Sequence, residues 1–376
     1  MKITIAMGAF FPVPPIMGGA VEKVWFTLAA EFVKRGHEVA MVSRKTPGLP
    51  REETINGVKH LRVGGFDTPR SLVWLKFLDL IYSLRTRSIL PDADIIVTNT
   101  FWLPFLLRNP KRGKVYVHVG RYPKGQMRFY RKAARLQAPS HAIAHTIATE
   151  APRLANRVAA IPYPVARSRM INSPPPAIGD RDKIILFVGR VHPEKGVHLL
   201  IDAFASGARA AFVNWKLMII GPTETKLGGG GEVYLASIRR AAGKADGRIS
   251  FAGPIFDWAK LTDAYRSARL FVYPSLSERG ESFGLAPLEA MAHGCAVLVS
   301  NLDCFRDFIR DNETGFMFDH RKQPASQTLR DKIDNVIRNE TLLARVAAAG
   351  YEKSAEYSPE RVADQFLKDF DSLIRT

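Results

Sequence analysis

The chain has 376 residues, 46% of them hydrophobic and 24% charged, which is typical of a globular protein with room for about two domains. It has only two cysteines, which argues against a disulfide framework and favours a reducing cytosol. No run of 18 uncharged apolar residues occurs, so we expect no membrane span, whereas the net charge of +18 indicates an anionic partner: a polyanion, an anionic membrane surface or an acidic substrate.

The first part of the chain predicts strands that alternate with helices. "KITIAM" predicts an opening strand rather than a signal peptide, and a helix over "GGAVEKVWFTLAAEFVKRGH" and a strand at "EVAMVSR" follow it. Gly18 and Gly19 precede that helix and suit either contact with a phosphate or a simple turn. They are a weak signal for phosphate binding, because no G-x-G-x-x-G or Walker motif is present. "ADIIVTN" and "KVYVHVG" predict further strands. His118 ends the second of these, where a site histidine and a structural histidine are both reasonable.

Positive charge is concentrated between Asp94 and Asp180, where Glu150 is the only acidic residue. Just before this stretch lies "SLVWLKFLDLIYSLRTRSIL", and within it lies "FWLPFLLRNPKRGK"; both mix bulky apolar and basic residues, as interfacial segments do. The alternative is an ordinary helix that packs its apolar face on the sheet. The basic residues of the stretch are Arg108, Lys111, Arg112, Lys114, Arg121, Lys124, Arg128, Arg131, Lys132, Arg135, Arg153, Arg157, Arg167 and Arg169.

The Pro- and Ser-containing segment "RSRMINSPPPAIGDRD" predicts a linker, after which strands and helices alternate again from "KIILFVGR" to "AVLVSN". Continuous apolar strands indicate parallel sheets covered on both faces. We therefore predict two doubly wound α/β domains facing across a cleft, at 1–168 and 180–358, with a terminal helix at about 359–376 packed on the first domain.

Two stretches of the second domain suit an anionic ligand. In "FVGRVHPEKGVHLLIDAF", Gly189, Arg190 and Lys195 lie between a strand and a helix, where two cations suit a diphosphate; a pair of surface cations beside a turn is the alternative. In "ERGESFGLAPLEAMAHG", Glu281 lies on a loop and Glu289 one turn inside a helix, whose start attracts anions. The alternative there is a capping carboxylate and a solvated helix face.

We expect no metal site. The D-x-D matches at Asp92–Asp94 and Asp369–Asp371 lie before a strand and on a terminal helix, and Cys295 and Cys304 lack ligand spacing with histidines. "TKLGGGGEV" predicts a flexible loop without a role.

Four stretches of the chain carry a family resemblance: "GGAVEKV", "FVGRVHPEKG", "VYPSLSERGESFGLAPLEAMAHGCAVLVSN" and "DNETGFMF". Together they resemble glycosyltransferase family 4, which consists of retaining enzymes of the GT-B fold that use nucleotide-diphosphate sugars. For this chain the resemblance implies a UDP- or GDP-sugar. The resemblance departs from the family pattern at "IPYPVA" and at "LDCFRDF", where Asp307 stands at the position of a family glutamate.

The resemblance implies a role for each matching position. Arg190 and Lys195 hold the donor diphosphate, Glu281 the sugar hydroxyls and Glu289 the ribose hydroxyls, while His118 faces the reacting sugar. The donor-binding set it implies is Gly18, Gly19, Gly189, Arg190, Lys195, Glu281, Phe283, Gly284, Leu285 and Glu289; the catalytic set is His118, Glu281, Arg190 and Lys195.

The function expected from the resemblance is a metal-independent, retaining hexosyltransferase without a further cofactor. The expected acceptor is an anionic, lipid-linked glycan. The chain would reach it as a cytoplasmic protein bound peripherally to the inner membrane face. Alternatives are a soluble small-molecule acceptor, an epimerase or phosphorylase of the same fold, a silent sugar-nucleotide sensor, and a polyanion-binding protein without enzymatic activity. No DNA or RNA motif is present, so no nucleic-acid partner is expected.

Overall fold

The computed structural model describes residues 1–69, 71–107, 112–165, 174–207 and 212–375. The chain forms two compact units, unit 1 (Met1–Pro164 with Pro359–Thr376) and unit 2 (Val165–Ser358). The first seven residues of the expected linker, 167–173, lie outside the described residues, as do four of the basic residues noted above, Arg108, Lys111, Arg167 and Arg169.

Unit 1 contains an eight-stranded sheet in the order β3-β4-β2-β1-β5-β6-β7-β8. Its strands are β1 (Lys2–Ala6), β2 (Glu38–Lys45), β3 (Glu52–Ile55), β4 (Val58–Gly64), β5 (Ile95–Thr98), β6 (Lys114–His118), β7 (Arg135–Ala138) and β8 (Val158–Ala160). Its first helices are α1 (Ala20–Lys34), α2 (Leu72–Ile89), α3 (Leu103–Leu106) and α4 (His141–Glu150).

One pairing in this sheet departs from the predicted parallel arrangement. β3 and β4 pair antiparallel, with Ile55 opposite Val58. Asn56 and Gly57 form the turn between them, at φ 52° and 78°. Positive φ at both central residues is the requirement of the tight hairpin turn that an Asn-Gly pair favours. β3 is therefore an antiparallel edge strand on an otherwise parallel sheet.

Unit 2 contains a six-stranded sheet in the order β11-β10-β9-β12-β13-β14. Its paired strands are all parallel, as predicted. The strands are β9 (Asp182–Val188), β10 (Lys216–Ile220), β11 (Ile249–Gly253), β12 (Ala268–Tyr273), β13 (Ala296–Ser300) and β14 (Phe316–Phe318). The helices are α5 (Val197–Gly207), α6 (Gly231–Ala242), α7 (Trp258–Ser267), α8 (Leu285–Ala292), α9 (Ala325–Arg338) and α10 (Glu340–Ser354).

The chain returns to unit 1 with α11 (Pro359–Ile374), which packs against α1. An ion pair fixes it to the sheet: Asp369 lies 2.6 Å from Arg135 and accepts a 2.9 Å hydrogen bond from the Tyr116 hydroxyl. The Phe370 ring packs edge-on against Tyr116 at 4.9 Å. One carboxylate of the predicted D-x-D match is thus bound to a cation and a phenol. Along the described ranges, no helix has the length and apolar character needed to cross a membrane.

We expect Asp369→Ala to lower the free energy of unfolding by roughly 2–4 kcal/mol, because it leaves a largely buried guanidinium and phenol without their acceptor. Urea denaturation measures the change. Asp364→Ala on the same helix is the control: it removes the pair with Arg35 from a side chain that is 65% exposed. That variant should cost under about 1 kcal/mol. Equal losses in the two variants would contradict the role given to Asp369.

Candidate functional site

The loop between β9 and α5 depends on two glycines that leave no room for a side chain. A Cβ on Gly189 would lie 3.1 Å from the Tyr273 ring and 3.2 Å from the Phe187 ring. Gly196 adopts φ 68°, and a Cβ there would overlap the carbonyl oxygen of Pro274. These close approaches hold Arg190 and Lys195 between them at the carboxyl end of β9.

Lys195 and Glu281 form the central contact of this site, with Nζ and Oε2 2.7 Å apart and side chains 7% and 10% exposed. The Ser275 hydroxyl donates to the same carboxylate oxygen at 2.8 Å. Burial opposes the charged lysine, but Tyr273 and Glu281 outweigh it and raise the pKa of Lys195 above its ordinary value. The site therefore holds a protonated lysine at neutral pH, joined to the carboxylate on which the sequence analysis focused.

Arg190 is held by the four-glycine segment "TKLGGGGEV", for which the sequence predicts no role. Its Nη1 donates to the carbonyl oxygen of Gly228 at 2.9 Å, and its Nη2 pairs with Glu194. The Gly228 segment is itself fixed by backbone bonds of 2.9 Å from Gly230 to Val191 and 2.8 Å from Gly231 to Thr223. The four-glycine segment is therefore packed on the arginine loop and orients the guanidinium.

The start of α8 is shaped by Gly284, which adopts φ 94° immediately before Leu285. A Cβ on Gly284 would overlap the Phe305 ring. Phe283 is buried, with its ring 5.4 Å from that of Phe308. The first amides of a helix have no acceptor within the helix, and the predicted contact of this start with an anion would use them.

Glu289 lies in the second turn of α8 and is buried. The Tyr265 hydroxyl donates to its Oε2 at 3.1 Å. Part of its acceptor capacity is thus used inside the protein. The predicted role at the ribose would rest on the remaining carboxylate lone pairs.

In unit 1, Gly18 and Gly19 adopt φ 79° and 99° just before α1. A Cβ on Gly19 would overlap a carboxylate oxygen of Glu22, because that side chain folds back over the helix start. Burial raises the pKa of Glu22 to about 7, against smaller opposite effects of its own backbone amide and of Arg121. The sequence carried a signal for this arrangement, since glutamate three residues after an N-cap often turns back to it.

His118 is buried, and both ring nitrogens have partners. Gln137 donates its Nε2 to two backbone carbonyls, so its Oε1 faces Nδ1 of His118, which must carry the proton. Nε2 then accepts from the Tyr163 hydroxyl at 3.1 Å. Burial lowers the pKa of His118 to about 4, against a smaller effect of Gln137, so the ring is neutral at pH 7.

No group of three or more His, Cys, Asp or Glu side chains is arranged to hold a metal ion within the ranges that the structure describes. Of the D-x-D residues, Asp94 accepts from the backbone amide of Lys2 at 2.7 Å. Cys295 and Cys304 are buried free thiols.

Two family models match this chain. A model described as "Glycosyl transferases group 1" matches residues 169–353, and a "Glycosyltransferase Family 4" model matches residues 17–169. Together they span both units.

Curated relatives match one half or the whole of the chain. A phosphatidyl-myo-inositol mannosyltransferase of Mycobacterium leprae is 34% identical over 194 residues, which are 51% of this chain and 47% of the relative. The matched segment thus spans about half the length of that relative. A lipopolysaccharide 1,2-N-acetylglucosaminetransferase of Salmonella typhimurium is 26% identical over 387 residues, with 97% of each chain covered.

Solved structures show the same architecture. A glycosyltransferase of Rickettsia africae matches with a TM-score of 0.75 and 16% identity, over 100% of this chain and 99% of the other. The HepE protein of Anabaena, solved with UDP and glucose, matches with a TM-score of 0.73 and 18% identity, over 99% and 100%. These likenesses confirm the predicted fold class, with two parallel-sheet α/β domains of GT-B type.

We expect Glu22→Gln to change the pH dependence of stability. A carboxyl whose pKa rises from 4.5 to about 7 on folding stabilises the fold fully below pH 4.5, and this contribution is lost as pH rises through 7. Between pH 5 and 8, the wild-type chain should lose roughly 2–3 kcal/mol of unfolding free energy relative to the variant. Urea denaturation at both pH values measures it. Glu38→Gln, at a side chain 75% exposed, is the control, and a pH-independent difference for Glu22→Gln would contradict the assignment.

Proposed function

The chain belongs to glycosyltransferase family 4, and on that premise we propose that it transfers a sugar from a nucleotide-diphosphate sugar, a UDP- or GDP-sugar, to a glycan acceptor. The buried Lys195–Glu281 pair is the observation that carries the proposal, because it places a fixed cation next to a fixed carboxylate. Arg190 supplies a second cation on the same loop, and the start of α8 supplies amide donors. Cations and amide donors suit a diphosphate, and a carboxylate suits sugar hydroxyls.

The chemistry follows from where charge develops. When the bond between the anomeric carbon and the diphosphate breaks, negative charge builds on the leaving phosphate. Lys195 and Arg190 would stabilise that charge without reorganising, because each is already held by protein acceptors. Two cations and a helix start supply this stabilisation without a metal ion or further cofactor, so we propose a metal-independent reaction.

We further propose that the sugar keeps its anomeric configuration. The acceptor would attack the anomeric carbon on the same face of the sugar from which the leaving group departs. Glu281 would orient the sugar rather than act as a nucleophile, since Lys195 and Ser275 already bind its Oε2. His118 would meet the sugar as a neutral ring through Nε2, where a sugar hydroxyl would take the place of the Tyr163 hydroxyl; its lowered pKa supports the neutral form. A neutral ring does not repel the positive charge that grows at the anomeric carbon.

The acceptor, we propose, is anionic and lipid-linked, and unit 1 reaches it from an anionic membrane, the inner face of a cytoplasmic membrane. The relatives named for phosphatidyl-myo-inositol and lipopolysaccharide support a lipid-linked acceptor. Within unit 1, helix α2 supports membrane contact through an unusual distribution of side chains. Its fully buried residues are Asp79, Tyr82, Ser83 and Thr86. Four apolar residues are only half-buried: Leu75, Leu78, Leu80 and Ile81.

Four large apolar side chains near the start of α2 are exposed to solvent. Leu72, Val73, Trp74 and Phe77 are each between 50% and 78% exposed. An ordinary amphipathic helix turns its apolar side to the core, and these exposed apolar side chains depart from that pattern. Lys76, Arg85 and Arg87 lie on the same helix, and a basic residue near an anionic surface adds about 1 kcal/mol of attraction. Apolar side chains beside cations are the composition of an interfacial helix.

For the donor site, we expect Arg190→Ala and Lys195→Ala each to lower kcat/KM by an amount equal to roughly 2–4 kcal/mol, the scale for removing one preorganised charge partner. Lys183→Ala, an exposed cation on β9, is the control and should stay near the wild-type rate. The donor is first found by thermal shift against UDP-, GDP- and ADP-sugars. Near-normal turnover of both loop variants would contradict the assignment.

The same assay tests the remaining donor-site proposals. Activity should survive excess EDTA, and a loss that manganese or magnesium restores would refute metal independence.

His118→Ala should lower turnover far more than nucleotide affinity, and unchanged turnover would make the histidine purely structural. Proton NMR of the product's anomeric centre decides retention against inversion.

For the membrane, we expect the chain to sediment with phosphatidylglycerol vesicles, not with phosphatidylcholine vesicles, and less as salt rises. Trp74→Ser with Phe77→Ser should weaken this binding roughly tenfold or more, because it removes the insertable apolar area. Val233→Ser on unit 2, at a side chain 88% exposed, is the matched control. Equal binding to both vesicle types, or none to either, would refute membrane docking and leave a soluble anionic acceptor.

A further inference from the structure

Tyr163 is a buried residue of unit 1 to which the family resemblance assigns no role. It lies in "IPYPVA", one of the two stretches where the sequence departs from the family pattern. Its hydroxyl lies 3.1 Å from Nε2 of His118, which is the atom through which the histidine would meet the donor sugar. The tyrosine hydroxyl therefore occupies the position that the proposed reaction requires for a sugar hydroxyl.

The hydrogen bond between these two side chains runs from the tyrosine to the histidine. Gln137 donates its Nε2 to the carbonyl oxygens of Ala138 at 2.9 Å and Ile161 at 2.6 Å, so its Oε1 accepts from Nδ1 of the histidine. Nδ1 thus carries the single proton of the neutral ring, and Nε2 presents a lone pair. Burial raises the pKa of Tyr163, so its hydroxyl keeps its proton at neutral pH and donates it to that lone pair.

Gln137 fixes both partners of this hydrogen bond. Its Oε1 holds the histidine ring, and its Nε2 holds the carbonyl of Ile161, two residues before the tyrosine. A proline on each side of Tyr163 restricts the backbone of the tyrosine further. The indole of Trp25 lies edge-on against the imidazole, with the ring centroids 5.5 Å apart. The imidazole and the backbone are thus fixed, and the tyrosine side chain is the part of the pair that can turn away.

The pair leaves no room for a third group at Nε2. His118 and Tyr163 are each 3% exposed. A Cβ on Gly120 would lie 2.8 Å from Nε2 and 3.0 Å from the tyrosine hydroxyl, so even a methyl group there would crowd both. An imidazole with its proton on Nδ1 has one lone pair on Nε2 and accepts one hydrogen bond there. A sugar hydroxyl therefore reaches this nitrogen only in place of the tyrosine hydroxyl, not beside it.

We propose that Tyr163 is a specificity residue that caps His118 in the free chain: its hydroxyl holds Nε2 until a hydroxyl of the donor sugar replaces it. The inference rests on the proposed function and adds a residue to it. A nucleoside diphosphate lacks that sugar and leaves the cap in place. Because one hydrogen bond is lost when the other forms, the cap weakens sugar binding. It also favours donors that carry a hydroxyl at this position over donors that lack it.

NMR of the full chain with nitrogen-15-labelled histidine tests the cap without any substrate. Long-range proton–nitrogen correlation at neutral pH identifies the protonated ring nitrogen, and His118→Gln assigns the signals by their loss. We expect a proton on Nδ1 of His118 and a hydrogen-bonded Nε2. Tyr163→Phe should keep the proton on Nδ1, since Gln137 is unchanged, and should move the Nε2 signal to that of a nitrogen without a donor. In the wild-type chain, adding the nucleotide sugar should change the Nε2 signal, whereas adding the nucleoside diphosphate should not.

Calorimetry tests the specificity, with the UDP- or GDP-sugar that the thermal-shift screen identifies and with the matching nucleoside diphosphate. We expect Tyr163→Phe to bind the nucleotide sugar roughly three- to tenfold more tightly than the wild type, the scale of one neutral hydrogen bond, and to bind the diphosphate equally. In the His118→Ala chain, the same substitution should change neither affinity, because the cap acts only on Nε2. Tyr130→Phe is the matched control. It removes another buried hydroxyl of unit 1, which donates to the carbonyl oxygen of Phe101 at 3.3 Å, and should bind both ligands as the wild type does.

The outcomes separate the cap from the proposed function. If no nucleotide sugar binds the wild-type chain, the proposed function fails, and the specificity role fails with it. If the wild type binds the nucleotide sugar and Tyr163→Phe binds it no better, the specificity role alone is overturned. Weaker binding by Tyr163→Phe also overturns it, because the hydroxyl would then contact the sugar directly. An equal gain for the nucleoside diphosphate, or an NMR proton on Nε2 of His118 in the free chain, overturns it as well.

Discussion

The ion pair between Lys195 and Glu281 is the contact on which the geometry of unit 2 depends. The two residues are 86 positions apart, and the pair joins the loop after β9 to the loop before α8. Leu276 adds a backbone bond of 2.8 Å to Glu194, so the two loops form one surface. Because both charges are nearly buried, loss of either would leave the other uncompensated, a penalty of roughly 3–5 kcal/mol. Variants at this pair therefore need a stability measurement before their rates are interpreted.

Unit 2 could be predicted well from the sequence because its signals are local. Its strands are apolar runs, and its site residues sit beside glycines at strand ends, where loops of parallel sheets must lie. Position along the chain already fixed Arg190 and Lys195 on one loop. The partners of those cations could not be predicted, since Gly228 and Glu281 come from distant loops whose approach depends on the whole sheet.

Unit 1 was predicted less completely, and for identifiable reasons. The Asn-Gly pair at Asn56 is a local signal for the hairpin between β3 and β4, which the expectation of a parallel sheet overlooks. Short strands such as β8, with three residues, carry too little pattern to be recognised. The orientation of α2 on the sheet could not be predicted from the sequence. The spacing of its apolar residues predicts a helix but does not show which of its side chains face the sheet. The same limit applies to His118, whose partners Gln137 and Tyr163 lie 19 and 45 residues away.

The position of α11 has a consequence for the order in which the protein folds on the ribosome. Phe366 packs at 5.1 Å against Trp25, and Phe370 at 5.8 Å against Phe32, so the core of unit 1 includes side chains that are synthesised after all of unit 2. Domains usually fold in the order of their synthesis. Here unit 1 begins to emerge first, but it lacks one layer of its core until α11 leaves the ribosome. Unit 2, which is contiguous in the chain, is complete before that. During that interval the apolar face of α1 that will receive α11 is uncovered, which makes this the stage of synthesis most exposed to aggregation and to chaperone binding.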